Sequence, residues 1–147
     1  MTDRRELILV RLLEIAKGIE SIAGAFRNRD ELNEKQRPAI VILDADEAAD
    51  DADPTTRPSR SPRRVAMTPE IYILLGAKPE DLGTAINALR ARFVRAVLGD
   101  AQLASIVSTN GAICYEGCAT ALARGRSMEG EMGVSFSFTY VLRLEEL

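Results

Sequence analysis

The chain has 147 residues, a net charge of -3, an apolar fraction of 46% and a charged fraction of 28%. That length suits one domain with a single sizeable core, and the composition is that of an ordinary globular protein. The acidic balance argues against nucleic-acid binding by bulk attraction, and no apolar run approaches the length needed to cross a membrane.

Residues 3–26 read as a first helix. Ile8, Leu12, Ile15, Ile19, Ile22 and Phe26 recur at spacings of four and three and form one apolar stripe. Thr2 or Asp3 can cap its start, with Glu6 as the return partner of a capping box. Gly18 and Gly24 weaken the second half, which makes Ala23 an early end point. This charged start leads into an amphipathic helix and not into the apolar core of a signal peptide, so the expected compartment is a cytoplasm. Residues 28–37 are polar and read as a loop.

Residues 38–44, Pro-Ala-Ile-Val-Ile-Leu-Asp, form a continuous apolar run expected to be a strand covered on both faces or short and central. Residues 44–64 then change character. Six acids, Asp44, Asp46, Glu47, Asp50, Asp51 and Asp53, precede four arginines, Arg57, Arg60, Arg63 and Arg64, which are spaced by Pro54, Pro58 and Pro62. With no large apolar side chain between Leu43 and Val65, the segment is expected to be a long projecting loop, mobile unless a partner holds it.

Residues 65–75 alternate Val65, Met67, Ile71, Ile73 and Leu75 as a second strand, and Pro69 suggests an edge position or a bulge. A turn over 76–80 leads to a helix over 80–98, with Leu82, Ile86, Leu89, Phe93 and Val97 as its stripe and Glu80 and Asp81 suited to its start. Residues 101–107 read as a short helical or irregular piece, and Asn110-Gly111 as a turn.

Residues 112–123 form a third strand in which Gly117 hints at a bulge. A turn through Arg124, Arg126 and Glu129 leads into the last strand, 128–144. From Met132 its apolar residues fall on alternate positions: Met132, Val134, Phe136, Phe138, Tyr140, Leu142 and Leu144. Three of the chain's seven aromatic residues lie here, so this strand is expected to carry the centre of the core. Its other face carries Gly133, Ser135, Ser137, Thr139, Val141 and Arg143, and its hydroxyl row reads either as a solvent face or as a flat surface for a neighbouring subunit. The last two strands should pair as an antiparallel hairpin. The fold expected is α+β, order α-β-β-α-β-β: a mostly antiparallel four-stranded sheet with two main helices on one face, in one domain spanning 1–147.

The chemistry is sparse. The chain has no histidine, which removes serine–histidine triads and the commonest metal ligand. No phosphate-binding glycine loop occurs. Asp44-x-Asp46-Glu47 could be pressed into a cation site, but Ala49 and Thr55 stand where a calcium loop needs glycine and an acid. The arginines read either as a phosphate patch or, preferably, as charges balancing the acidic run. Cys114 and Cys118 would share a strand face at roughly 13 Å, too far for a disulfide, and are expected to be buried free thiols. No enzyme, metal or cofactor is expected.

The helical start, the Pro38–Asp44 strand ending in acids, the variable loop, the leucine- and arginine-rich helix and the closing hairpin with Gly130-Glu131-Met132 leading into Phe-Ser-Phe-Thr-Tyr-Val-Leu together resemble the tail terminator, or tail completion, proteins of long-tailed bacteriophages. The resemblance spans nearly the whole chain and rests on structural motifs. It implies a structural virion protein, typically a hexameric ring, that caps the tail tube, ends its polymerisation and joins the tail to the head connector proteins. DNA would pass through without sequence-specific binding. The implied location is the virion tail or neck, with the host cytoplasm during assembly. A head-side connector of the same neck, or a small adaptor binding through residues 44–64, are the alternatives. The candidate partner or subunit interface comprises Asp44, Asp46, Glu47, Asp50, Asp51, Asp53, Arg57, Arg60, Arg63, Arg64, Arg124, Arg126, Met128, Glu129, Ser135, Ser137 and Thr139.

Overall fold

In the computed structural model, which describes residues 3–54, 56–108, 110–123 and 128–147, alternating apolar residues make one face of a long central strand pair. Strand β3 (Arg63–Ala77) and strand β5 (Met128–Leu142) run antiparallel, and their buried positions coincide with the alternation legible in the sequence. Strand β4 (Ala112–Ala123) pairs antiparallel with β5 as the expected hairpin. Strand β2 (Ala39–Ala49) flanks β3, and strand β1 (Gly24–Arg27) adds a parallel outer strand. The sheet is therefore five-stranded and mixed, in the order β1-β2-β3-β5-β4. The architecture is α+β, as expected.

Helix α1 (Arg4–Lys17) begins where the Asp3 carboxylate accepts from the Arg5 N–H at 3.1 Å. Helix α2 (Pro79–Leu98) starts with Pro79, which lacks the N–H that a first turn leaves unpaired. Helix α3 (Ala101–Val107) is capped by Asp100, which accepts from the Leu103 N–H at 2.7 Å. The three helices share one core with Ile40, Ile42, Ile71, Ile73, Met132 and Val134 on one face of the sheet. Its largest fully buried side chains include Tyr140, Phe93, Phe136 and Phe138. Phe136 meets Phe93 edge-on at 6.1 Å between centroids and lies 5.6 Å from Tyr115.

Four expectations need correction. The first helix does not run over 3–26: it ends at Lys17 and Gly18, and 24–27 form β1. Ile15 and Ile19 stay in the core and Ile22 packs against it, but in β1 it is Ala25 and not the expected Phe26 that joins the core. The sheet has five strands instead of four because of β1. The projecting segment is 50–62, not 44–64, since β2 continues to Ala49 and β3 begins at Arg63. Alanines and acids can extend a ladder whose hydrogen bonds are made by the backbone. Lastly, both cysteines are exposed. Cys114 lies opposite Ser137 and Cys118 opposite the buried Val134, with a register shift between Tyr115 and Gly117. That bulge turns the two thiols onto opposite faces, which spacing alone cannot reveal.

Pro69 is neither at an edge nor in a bulge of its own strand. The bulge lies across from it: Thr68 pairs with Asp46 and Glu70 with Leu43, so β2 has one extra residue there, and Ala45 takes a positive φ of 50°. The proline, which has no N–H to give a ladder, thus sits where neither neighbouring strand pairs with it.

Candidate assembly surface

The sheet face opposite the helices is lined by the intervening residues of each strand. Ser135 is exposed, Ser137 and Thr139 are half-buried, and Gly133 continues the row. Thr139 lies opposite Ala66 and Ala112. The Ser137 hydroxyl donates to Glu116 at 2.7 Å, and the Tyr72 hydroxyl donates to Glu70 at 3.2 Å. Glu70, Tyr72, Glu116 and Ser135 border a shallow depression of about 400 Å³. Register places Asp46 and Glu131 on this face too, opposite Thr68 and Leu74. Among the described residues none of Asp46, Glu70, Glu116 and Glu131 makes an ion pair. The β5 row of this face is thus small and hydroxylated with acids beside it, while register adds Phe26, Val41, Tyr72, Leu74 and Val141, so the face as a whole is mixed. The alternation within β5 places Ser135, Ser137 and Thr139 on it, whereas Glu70, Tyr72 and Glu116 join it only through strand pairing.

The acidic run does not act as one group. Asp44 is held by Arg27 through bonds of 2.7 and 2.8 Å, and Arg27 also reaches Glu6 at 2.8 and 2.9 Å. The arginine holds both carboxyls below the usual carboxylate range. This clasp ties β1, β2 and α1 together, and Arg27 was not foreseen because its partners are 17 and 21 residues away. Glu47 lies across the sheet from Asp46: it pairs opposite Met67 and accepts from the Tyr140 hydroxyl. Although the residue as a whole is exposed, partial desolvation of its carboxyl pushes the pKa up. The Asp44-x-Asp46-Glu47 carboxylates thus diverge, and among the described residues no group of acids is arranged to hold a metal ion.

The tip between β2 and β3 closes on itself. Asp50 bonds Arg64 at 2.8 Å through side chains and at 3.0 Å through its backbone N–H to the Arg64 carbonyl. Asp53 is buried, with Arg63 at 3.2 Å and Arg57 at 3.5 Å. Arg57 also donates to the Pro62 carbonyl at 3.3 Å. The segment's own acids and arginines therefore pair, in line with the charge-balancing reading. Asp51 and Arg60 are exposed, and Arg60 borders a depression of about 220 Å³ beside Leu142, Leu144 and Leu147. Glu129 pairs with Arg37 at 3.1 Å. Arg124 and Arg126 lie outside the described residues, and Met128 is placed only by its backbone pairing with Ala77.

The proposed interface residues thus separate into an internal clasp (Asp44), a self-closed tip (Asp50, Asp53, Arg57, Arg63, Arg64) and an open sheet face (Asp46, Ser135, Ser137, Thr139). Among the described residues no helix is long and apolar enough to cross a membrane. No model of a known protein family matches the chain, and no curated protein matches it.

Proposed function

We propose that this protein is a non-enzymatic building block of a closed ring, acting at the end of a bacteriophage tail tube as a terminator that also meets the head connector. One observation carries the reading: among the described residues the helices cover one face of the sheet and leave the other open, and the β5 row of that open face is small and hydroxylated with acids beside it. An antiparallel sheet can leave such a face to water, and an assembly can use the same face as a wall. Unpaired acids on the wall repel phosphate, so DNA would pass without being held. The absence of histidine from the sequence is consistent with a role that needs no proton transfer near neutral pH. The self-closed tip gives the adaptor reading no specific support.

Light scattering on the purified protein over a range of concentrations, with and without tail tubes, tests the proposal. A single closed particle of several copies is expected. A strict monomer under both conditions would refute it.

A further inference from the structure

The two edges of the sheet are unlike. On β4, the four residues Cys118, Ala119, Thr120 and Ala121 are all exposed, and the sequence from Gly117 to Ala123 contains no charge and no proline. Natural edge strands usually carry such guards, because a bare edge pairs with another strand. The opposite edge is β1, four residues long. Beyond it the outer side of β2 is closed, since the Asn28 side chain accepts from the Asp44 N–H at 3.0 Å and Arg5 donates to the Ala45 carbonyl at 2.7 Å. Among the described residues, each edge therefore has a stretch of four residues with no further strand beside it.

Those two stretches lie at the same level of the sheet. Following the pairing across all five strands, Gly24 shares a row with Ala121, Ala25 with Thr120, Phe26 with Ala119 and Arg27 with Cys118. Strand β1 runs parallel to β2, and β4 runs opposite to both. A copy set beside the first thus presents β1 antiparallel to β4, level with it and without a slide along the strands. A heterologous contact makes a ring when its rotation closes and a filament when it does not, and a level joint adds no climb along the strands.

We infer that copies of this chain join head to tail by pairing Cys118–Ala121 of β4 with Gly24–Arg27 of β1 in the next copy, which continues the sheet from subunit to subunit. This deepens the ring reading and rests on it. The side chains fit. On the open face the half-buried Phe26 ring would come beside the small Ala119 and Ala121, and no like charges face one another, because Cys118–Ala121 carries no charge. A four-residue joint is weak alone, and closure gives every copy two.

The test is a cross-link. Opposed Cα atoms of antiparallel strands lie about 4.5–5.5 Å apart, within disulfide range. A variant carrying Phe26→Cys and Ala119→Cys, with Cys114→Ser and Cys118→Ser, is oxidised mildly and run on a non-reducing gel. A ladder that rises to the ring's copy number and stops is expected. Single-cysteine controls should give no ladder. A second variant, Ala119→Lys with Ala121→Lys, should keep the monomer's circular dichroism and lose assembly. Assembly without the cross-link, a product that stops at dimer, or lysine variants that still assemble would each overturn the joint while leaving the ring reading standing. A wild-type chain that never assembles would overturn both.

Discussion

Phe136→Ala should be among the most damaging single substitutions in the chain. Phe136 is 1% exposed, and its ring touches three others: Phe93 edge-on at 6.1 Å, Phe138 at 6.0 Å and Tyr115 at 5.6 Å. An aromatic side chain buries roughly 200 Å², and at about 25 cal/mol per Å² its removal forfeits up to about 5 kcal/mol, of which the alanine methyl retains a part. The cavity and the lost edge-on contacts act in the same direction, so the expected cost is about 3–5 kcal/mol. Urea unfolding followed by far-ultraviolet circular dichroism, at a protein concentration where the chain is monomeric, measures it. The midpoint should fall with an unchanged slope, and the melting temperature should drop by roughly 10 °C. A loss under about 1 kcal/mol would mean that the ring is not enclosed, and that β5 does not carry the core.

Three further outcomes follow from particular contacts. Arg27→Ala should cost about 1–2 kcal/mol, between a partly buried charge-assisted bond and an exposed ion pair, since Glu6 on one side is 55% exposed; urea midpoints of variant and parent give the value. The carboxyls of Asp44, Glu6, Asp100 and Glu146 are all held below their ordinary range by arginines. Their stabilisation is therefore fully present above the unfolded carboxylate value near ~4 and lost as pH falls through the lower folded values. Glu47, raised by partial desolvation, acts in the opposite sense. Urea midpoints should therefore fall below about pH 4, and less steeply in Arg27→Ala; a stability that rises on acidification would contradict the clasp. Gly111→Ala should destabilise by about 1–3 kcal/mol or prevent folding, because a Cβ there collides with the backbone carbonyls of Val107 and Thr139, whereas Gly76→Ala, with open space around it, should change the melting temperature little.

Much of the fold could be read because burial imposes a period. Strand β5 alternates apolar with small or polar residues, β3 buries every second residue although Tyr72 and Leu74 fill its outer positions, and α2 repeats apolar residues at helical spacing, so each announces its type and its inward face. The failures came where burial and backbone type part company. Ile19 and Ile22 extend the α1 stripe without a helix beneath them, and the four residues of β1 are too few to show a period of their own. The far half of β2 is exposed, so its residues carry no hydrophobic signal although its backbone still pairs. The bulge at Gly117 reverses side-chain parity within β4, and with it the expected placement of the cysteines. Of the assembly surface, Ser135, Ser137 and Thr139 were legible as one face of one strand. Glu70, Tyr72 and Glu116 were not, because register between distant strands decides who shares a face. The pairing of Asp53 with Arg57 and Arg63 shows the same limit: composition indicates that charges balance, but only the fold says which ones meet.

Electron micrographs of the purified protein at rising concentration test the central claim most directly. The account predicts closed rings of one diameter with an open centre, whose masses correspond to a single copy number. Monomers at every concentration, with no change when tail tubes are added, would contradict it.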